Sequence, residues 1–101
     1  MSFMRINFIT LKEGEIEGIK KETEDWLDKN DPETTGMVYD VTAVAEDGRS
    51  CVGITLWKDK ASLDASGERW DEVMEGLAHR LVGEPRREEF EIEAHNLPAL
   101  D

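Results

Sequence analysis

A chain of 101 residues, 39% hydrophobic and 36% charged, is the size of one domain, expected over 1–101, with a feasible but modest layered core. Its net charge of −12 leaves no basic footprint for nucleic acid and disfavours an anionic membrane surface. No apolar run approaches the ~20 residues that span a bilayer. The N-terminal stretch lacks an extended apolar segment with a small-residue cleavage site. The lone Cys51 cannot close an intrachain disulfide, so a cytoplasmic protein is expected.

Met4–Leu11 reads as a first strand with large apolar groups on both faces, as expected of a strand covered on both sides. Glu13–Lys29 reads as a helix. Ile16, Ile19, Thr23, Trp26 and Leu27 form one stripe, and early glutamates suit the positive end of the helix dipole. Asn30-Asp31-Pro32 is expected to end it.

Asp47-Gly48 lies between two β-forming runs, Met37–Glu46 and Arg49–Lys58, and suits a two-residue type I′ turn with positive φ at both central residues. In that register Val44 faces Cys51, Thr42 faces Gly53 and Asp40 faces Thr55. One face then carries Met37, Tyr39, Val41, Ala43, Val52, Ile54 and Leu56. It is uniformly apolar and is expected to meet the helices. The opposite, mixed face carries Val38, Asp40, Thr42, Val44, Cys51, Gly53, Thr55 and Trp57, and reads as an interface in which Asp40 pairs with an arginine.

Asp59 is a candidate N-cap for a short helical segment that breaks at Ser66-Gly67. Trp70, Val73, Met74, Leu77, Ala78 and Leu81 then make the strongest amphipathic stripe of the chain, with Gly83 and Pro85 as stop signals. Glu88–His95 reads as a last strand alternating Phe90, Ile92 and Ala94 with glutamates. The order β-α-β-β-α-β is the ferredoxin-like arrangement: a four-stranded antiparallel sheet with two helices on one face.

Chemistry-bearing motifs are sparse. His79 falls opposite the apolar stripe and reads as a surface histidine. His95 shares a strand face with Glu93 and Glu91, but two donors without a third make a weak site, so no metal is expected. No glycine-rich phosphate loop occurs. The aromatic residues Phe8, Trp26, Tyr39, Trp70 and Phe90 are expected between sheet and helices, as core or as walls of a small-molecule pocket.

The segment Thr55–Ala65, a strand ending in Trp57 followed by Lys58-Asp59-Lys60-Ala61-Ser62-Leu63-Asp64-Ala65 and then a longer helix, resembles the dimeric α+β barrel superfamily. It is similar in particular to the antibiotic-biosynthesis-monooxygenase-like proteins, and the element order extends the resemblance over nearly the whole chain. The resemblance implies a homodimer whose two sheets form a barrel with the helices outside. It also implies either a cofactor-independent monooxygenase acting on aromatic molecules or a member without catalytic activity. The haem-degrading members use an asparagine on the first strand, a tryptophan on the second helical segment and a histidine beyond it. Asn7 matches the first, but Ser66 stands at the tryptophan position and His79 faces away, so haem degradation is not carried over and no cofactor is expected. Asn7, Tyr39, Trp57 and Trp70 are the candidate substrate-binding residues. The alternative is a non-catalytic dimeric ligand-binding or interaction protein of the same fold.

Overall fold

A computed structural model describes residues 1–29 and 35–100. The strands are β1 (Phe3–Thr10), β2 (Met37–Val44), β3 (Ser50–Trp57) and β4 (Arg86–Glu91). The helices are α1 (Ile16–Lys29), α2 (Lys60–Ala65) and α3 (Gly67–Leu77). The strands form one antiparallel sheet in the order β2-β3-β1-β4, with the helical crossovers packed on one face. This is the expected ferredoxin-like architecture. The stop proposed at Asn30-Asp31-Pro32 lies outside the described residues.

Helix α1 starts at Ile16 rather than Glu13, because Gly14 takes φ +79° in the turn before it. A glycine inside this helix has a packing reason. A Cβ on Gly18 would sit 2.1 Å from the Arg80 guanidinium, which crosses here to reach Glu15 and Glu22. At the other break, the Asp59 carboxylate accepts the Ser62 N–H at 2.7 Å and caps α2 as expected. Helix α3 ends at Leu77, and a 3₁₀ turn carries the chain to Leu81. Leu81 is buried and bridges to Leu11. Strand β4 begins two residues earlier than expected and ends at Glu91, because its ladder follows β1 from Phe8↔Arg86 to Phe3↔Glu91.

The hairpin keeps the expected register: Asp40↔Thr55, Thr42↔Gly53 and Val44↔Cys51. Its turn is different. Only Gly48 has positive φ, at +71°, so the turn is not type I′. The Gly48 N–H bonds the Ala45 carbonyl, and the Asp47 carboxylate accepts the backbone N–H groups of Arg49 and Ser50 at 2.8 Å each. An acceptor that satisfies two free amides replaces the second left-handed residue. These bonds, with the Ser50 hydroxyl, hold the Asp47 carboxyl down at about 2.

The assignment of the two sheet faces is reversed from expectation. Cys51, Gly53, Thr55 and Trp57, from the mixed set, lie under the helices together with Arg5 and Asn7 of β1. Tyr39 pairs with Leu56 and therefore shares the opposite face with Val41, Ile54, Met4 and Ile6. Phe8 and Phe90 are there too, Phe90 paired with Met4 and 43% exposed. Val41 is 50% exposed. A bulge between Met37 and Tyr39 turns Met37 alone from that set into the helix layer. Both faces are apolar enough to be covered, and apolarity alone does not say which cover the helices provide. The right hand of the β1–α1–β2 crossover settles that.

The core is built in two clusters on the helix side. Leu11, Ile19, Cys51, Leu77 and Leu81 form one, and Trp26, Met37, Trp57, Leu63 and Trp70 the other. Arg5, 2% exposed, runs beneath the second. Its guanidinium donates to the Ser66 hydroxyl at 2.6 Å, the Leu63 carbonyl at 3.0 Å and the Glu89 carboxylate at 2.9 Å. It also lies 5.9 Å from the centre of the Trp57 ring. Burial lowers the Arg5 pKa, and Glu89 opposes that shift.

Truncating Arg5 removes the ties across the α2–α3 break and leaves a hole under Trp57. Arg5→Ala is expected to cost about 3 kcal/mol in urea unfolding, and Arg5→Met, which keeps the apolar stem, about half as much.

Candidate functional site

Gly53 stands in the middle of the helix-facing side of the sheet, between Thr42 on β2 and Asn7 on β1. It contributes no side chain, and a Cβ built on it would meet nothing within 4 Å. The space left is a cavity of about 40 Å³ between the sheet and the helices. Ile9 and Cys51 continue its floor. Ile19, Glu22, Thr23 and Trp26 of α1 wall one side, and Trp70, Val73, Met74 and Leu77 of α3 the other. Trp26 and Trp70 stack at 5.0 Å between ring centres. They meet because the α1 stripe and the α3 stripe face the same strip of sheet.

The cavity is mainly apolar, and its polar groups are unusual. Among the described residues, four buried side-chain nitrogen or oxygen atoms have no hydrogen-bond partner: Asn7 Nδ2, Asp40 Oδ2, Trp70 Nε1 and Arg69 Nε. The first three belong to residues that line this cavity. An unpaired buried polar atom costs about 1–3 kcal/mol, and three of these four belong to residues around this one space. Asn7, 3% exposed, has its amide oriented from behind, since its Oδ1 accepts from Arg87 Nε at 3.4 Å. Arg87 is in turn held by Asp71 at 3.0 Å. The amide's N–H side is the part left unpaired.

Asp40 was expected to pair with an arginine across an interface; it lies instead on the helix-facing side of the sheet, and its Oδ2 has no hydrogen-bond partner among the described residues. Burial raises its carboxyl pKa to about 6. The other ionisable groups of the lining are Glu22 and Cys51. Glu22 is held by Arg80 at 2.9 Å, and burial raises the Cys51 thiol.

The four candidate residues are separated by the fold. Asn7 and Trp70 line the cavity. Trp57 is fully buried in the tryptophan cluster, its indole N–H given to Thr55 Oγ1 at 2.9 Å, and it does not reach the cavity. Tyr39 is on the other face of the sheet, because it shares a rung with Leu56. Asp40 is the site residue that sequence reasoning assigned to another role. Its signal was present: a carboxylate in a β-branched strand, opposite Thr55 and two rungs from Gly53 on the same face. His79 is exposed, and His95 Nδ1 accepts the Leu97 N–H at 3.1 Å in the C-terminal tail.

No family model matches the chain, and no curated protein matches it. Solved structures do. A cofactor-independent oxygenase from Streptomyces nogalater, SnoaB, is 17% identical, with 96% of this chain and 97% of that one covered and a TM-score of 0.70. A protein of unknown function from Nitrosomonas europaea is 18% identical over 96% and 94% of the two chains, with a TM-score of 0.76. A dimeric ferredoxin-like protein from an uncultured marine organism is 14% identical over 95% and 91%, with a TM-score of 0.72. The chain thus shares its ferredoxin-like fold with these structures. None of its described helices is long and apolar enough to cross a membrane.

The raised Asp40 pKa has a consequence for stability. Folding favours the protonated carboxyl, so that contribution is complete below the unfolded value near 4 and is lost as pH rises through about 6. Asp40→Asn is expected to stabilise the protein by about 1–2 kcal/mol at pH 7, after allowance for partial exposure, and by nothing at pH 4. Urea denaturation at the two pH values measures both.

Proposed function

We propose that this protein is a cytoplasmic homodimer that binds a small, largely apolar or aromatic molecule between its sheet and helices. There it acts as a monooxygenase-like enzyme that needs no metal or prosthetic group. The observation carrying this reading is the convergence of Asn7, Asp40 and Trp70, each with an unpaired polar atom, on one apolar cavity. Such a site orients a ring by its polar edge and excludes water from it. The reaction it suits is oxidation of an activated methylene by dioxygen. R₂CH₂ and O₂ give R₂C=O and H₂O; carbon gives up four electrons, and the two oxygen atoms accept them. The oxygenase activity named for the Streptomyces nogalater relative supports this class of reaction.

The cavity volume bears on how a substrate enters. An apolar cavity of roughly 150 Å³ takes up benzene, so a ring needs more than the about 40 Å³ present here. Met74 is the adaptable wall, with an unbranched side chain that repacks at low cost. The half-buried Glu22 and Thr23 and the exposed Thr42 form the mouth. The small volume also favours the second reading, a non-catalytic protein of the same fold that binds a small ligand.

The open sheet face supports the homodimer. It presents the exposed Val41 and Phe90 beside the half-buried Ile6 and Ile54, on the side of the sheet away from α1 and α3, a patch too apolar to stay wet. A second copy would cover it against a net charge of −12 on each chain, so association should tighten as salt screens the repulsion.

Oxygen uptake with anthrone- and quinol-type compounds tests the enzyme. Turnover is expected in the wild type and not in Gly53→Val, whose branched side chain fills the cavity floor without lowering Tm. No turnover and no thermal stabilisation by any compound would remove the enzymatic reading. Sedimentation velocity should give a dimer at micromolar concentration, and Val41→Glu, at a half-exposed position, should give a folded monomer. A wild-type species of 11.5 kDa contradicts the dimer.

A further inference from the structure

We infer that the Asp71–Arg87 ion pair is the latch of a second way into the cavity, from the groove between α3 and β4, and that Met74 is the partition that moves when a ring passes. The inference rests on the cavity being a binding site, as proposed above, and adds how a molecule larger than the closed cavity reaches it.

An open groove of about 450 Å³ runs along the outer side of α3. Its walls include Asp71, Met74 and Glu75 of α3, Asn7 of β1, Arg87 of β4 and Glu84 before β4. Asn7 and Met74 line both the groove and the cavity, so these two side chains stand between the two spaces. They are unequal as barriers. Asn7 is 3% exposed, and its Oδ1 accepts from Arg87 Nε. Met74 is half-buried, and its unbranched thioether changes rotamer without moving the helix. A swing of Met74 joins a space too small for a ring to a far larger one.

The two sides of the cavity are closed differently. At the mouth between α1 and β2, Glu22 shares Arg80 with Glu15, and all three side chains are a third exposed or less. On the other side, Asp71, Met74 and Glu75 lie one turn apart on α3 and so face β4 together. Arg87 shares a rung with Asn7. From there its Nη2 donates to Asp71 at 3.0 Å. Among the described residues this is the one hydrogen bond or ion pair between α3 and β4. The Asp71 side chain is 72% exposed, and an exposed pair is weak and screened by salt. Glu75 and Glu84, on the same groove, supply other carboxylates to which the guanidinium can turn when it leaves Asp71. A weak tie with an alternative partner beside it is what an entrance that opens and recloses requires.

A latch touches the bound molecule in neither of its states. It therefore changes the rates of entry and exit alike and leaves the affinity alone. The probe is 1-naphthol, a bicyclic phenol that is neutral at pH 7 and so is not steered by the protein's charge. Its binding is followed by stopped-flow quenching of tryptophan fluorescence. Asp71→Asn is expected to raise kon and koff each about three-fold and to keep Kd within about two-fold. Wild-type rates should rise by a similar factor between about 0.02 M and about 0.5 M NaCl, and those of Asp71→Asn should not. Unchanged rates in the variant, wild-type rates indifferent to salt, or a shift in Kd carried by one rate alone each overturn the latch and leave the binding site standing. No saturable quenching by wild type overturns the binding site, and the latch with it.

Discussion

The buried guanidinium of Arg5 is the interaction on which the rest of the arrangement hangs. From the third position of β1 it reaches three places at once: Glu89 on β4, the Leu63 carbonyl of α2, and the Ser66 hydroxyl at the break before α3. A charge this deep is tolerable only if its donors are taken up, and the geometry that takes them up fixes where the helix breaks. The Ser66 carbonyl then accepts the Trp70 N–H at 3.0 Å and starts α3. The pitch of α3 from that point brings Trp70 against Trp26 and over the sheet. The polar core of the α2–α3 junction thus places one wall of the cavity.

The cavity owes its floor to an absence. Gly53 sits where its neighbours Cys51 and Thr55 bear side chains, and a central strand does not ordinarily spend a glycine, which weakens pairing and packs nothing. A missing side chain opposite two stacked indoles leaves a small dry space. Asn7 Nδ2 and Asp40 Oδ2, on the strands flanking Gly53, have no hydrogen-bond partner among the described residues. The local cost in stability and the capacity to bind have the same origin, as is usual where a fold keeps unsatisfied groups.

The sheet has two claims on its faces. Helices cover the more polar side, where arginine, asparagine, threonine and cysteine are satisfied by one another or by helix ends. The more apolar side is left to whatever meets it.

Element order, the hairpin register, the Asp59 cap, the break at Ser66-Gly67 and the two aromatic stripes are determined by the sequence itself. Each depends on neighbours within a turn or a rung, where spacing translates directly into position. Trp70 could be placed toward the sheet for the same reason, since it lies on the apolar stripe of its helix. Which sheet face meets the helices was decided by tertiary structure alone. Both faces are apolar, and only the hand of the crossovers and the bulge at Val38 distinguish them. That choice moved Tyr39 out of the site. Trp57 was lost to it by the tryptophan packing beneath the helices, which seals that ring away from the cavity. It also turned Asp40 from an expected partner of arginine into an unpaired carboxyl beside a cavity, because a side chain's partners come from strands and helices distant in the chain, and no local pattern records them.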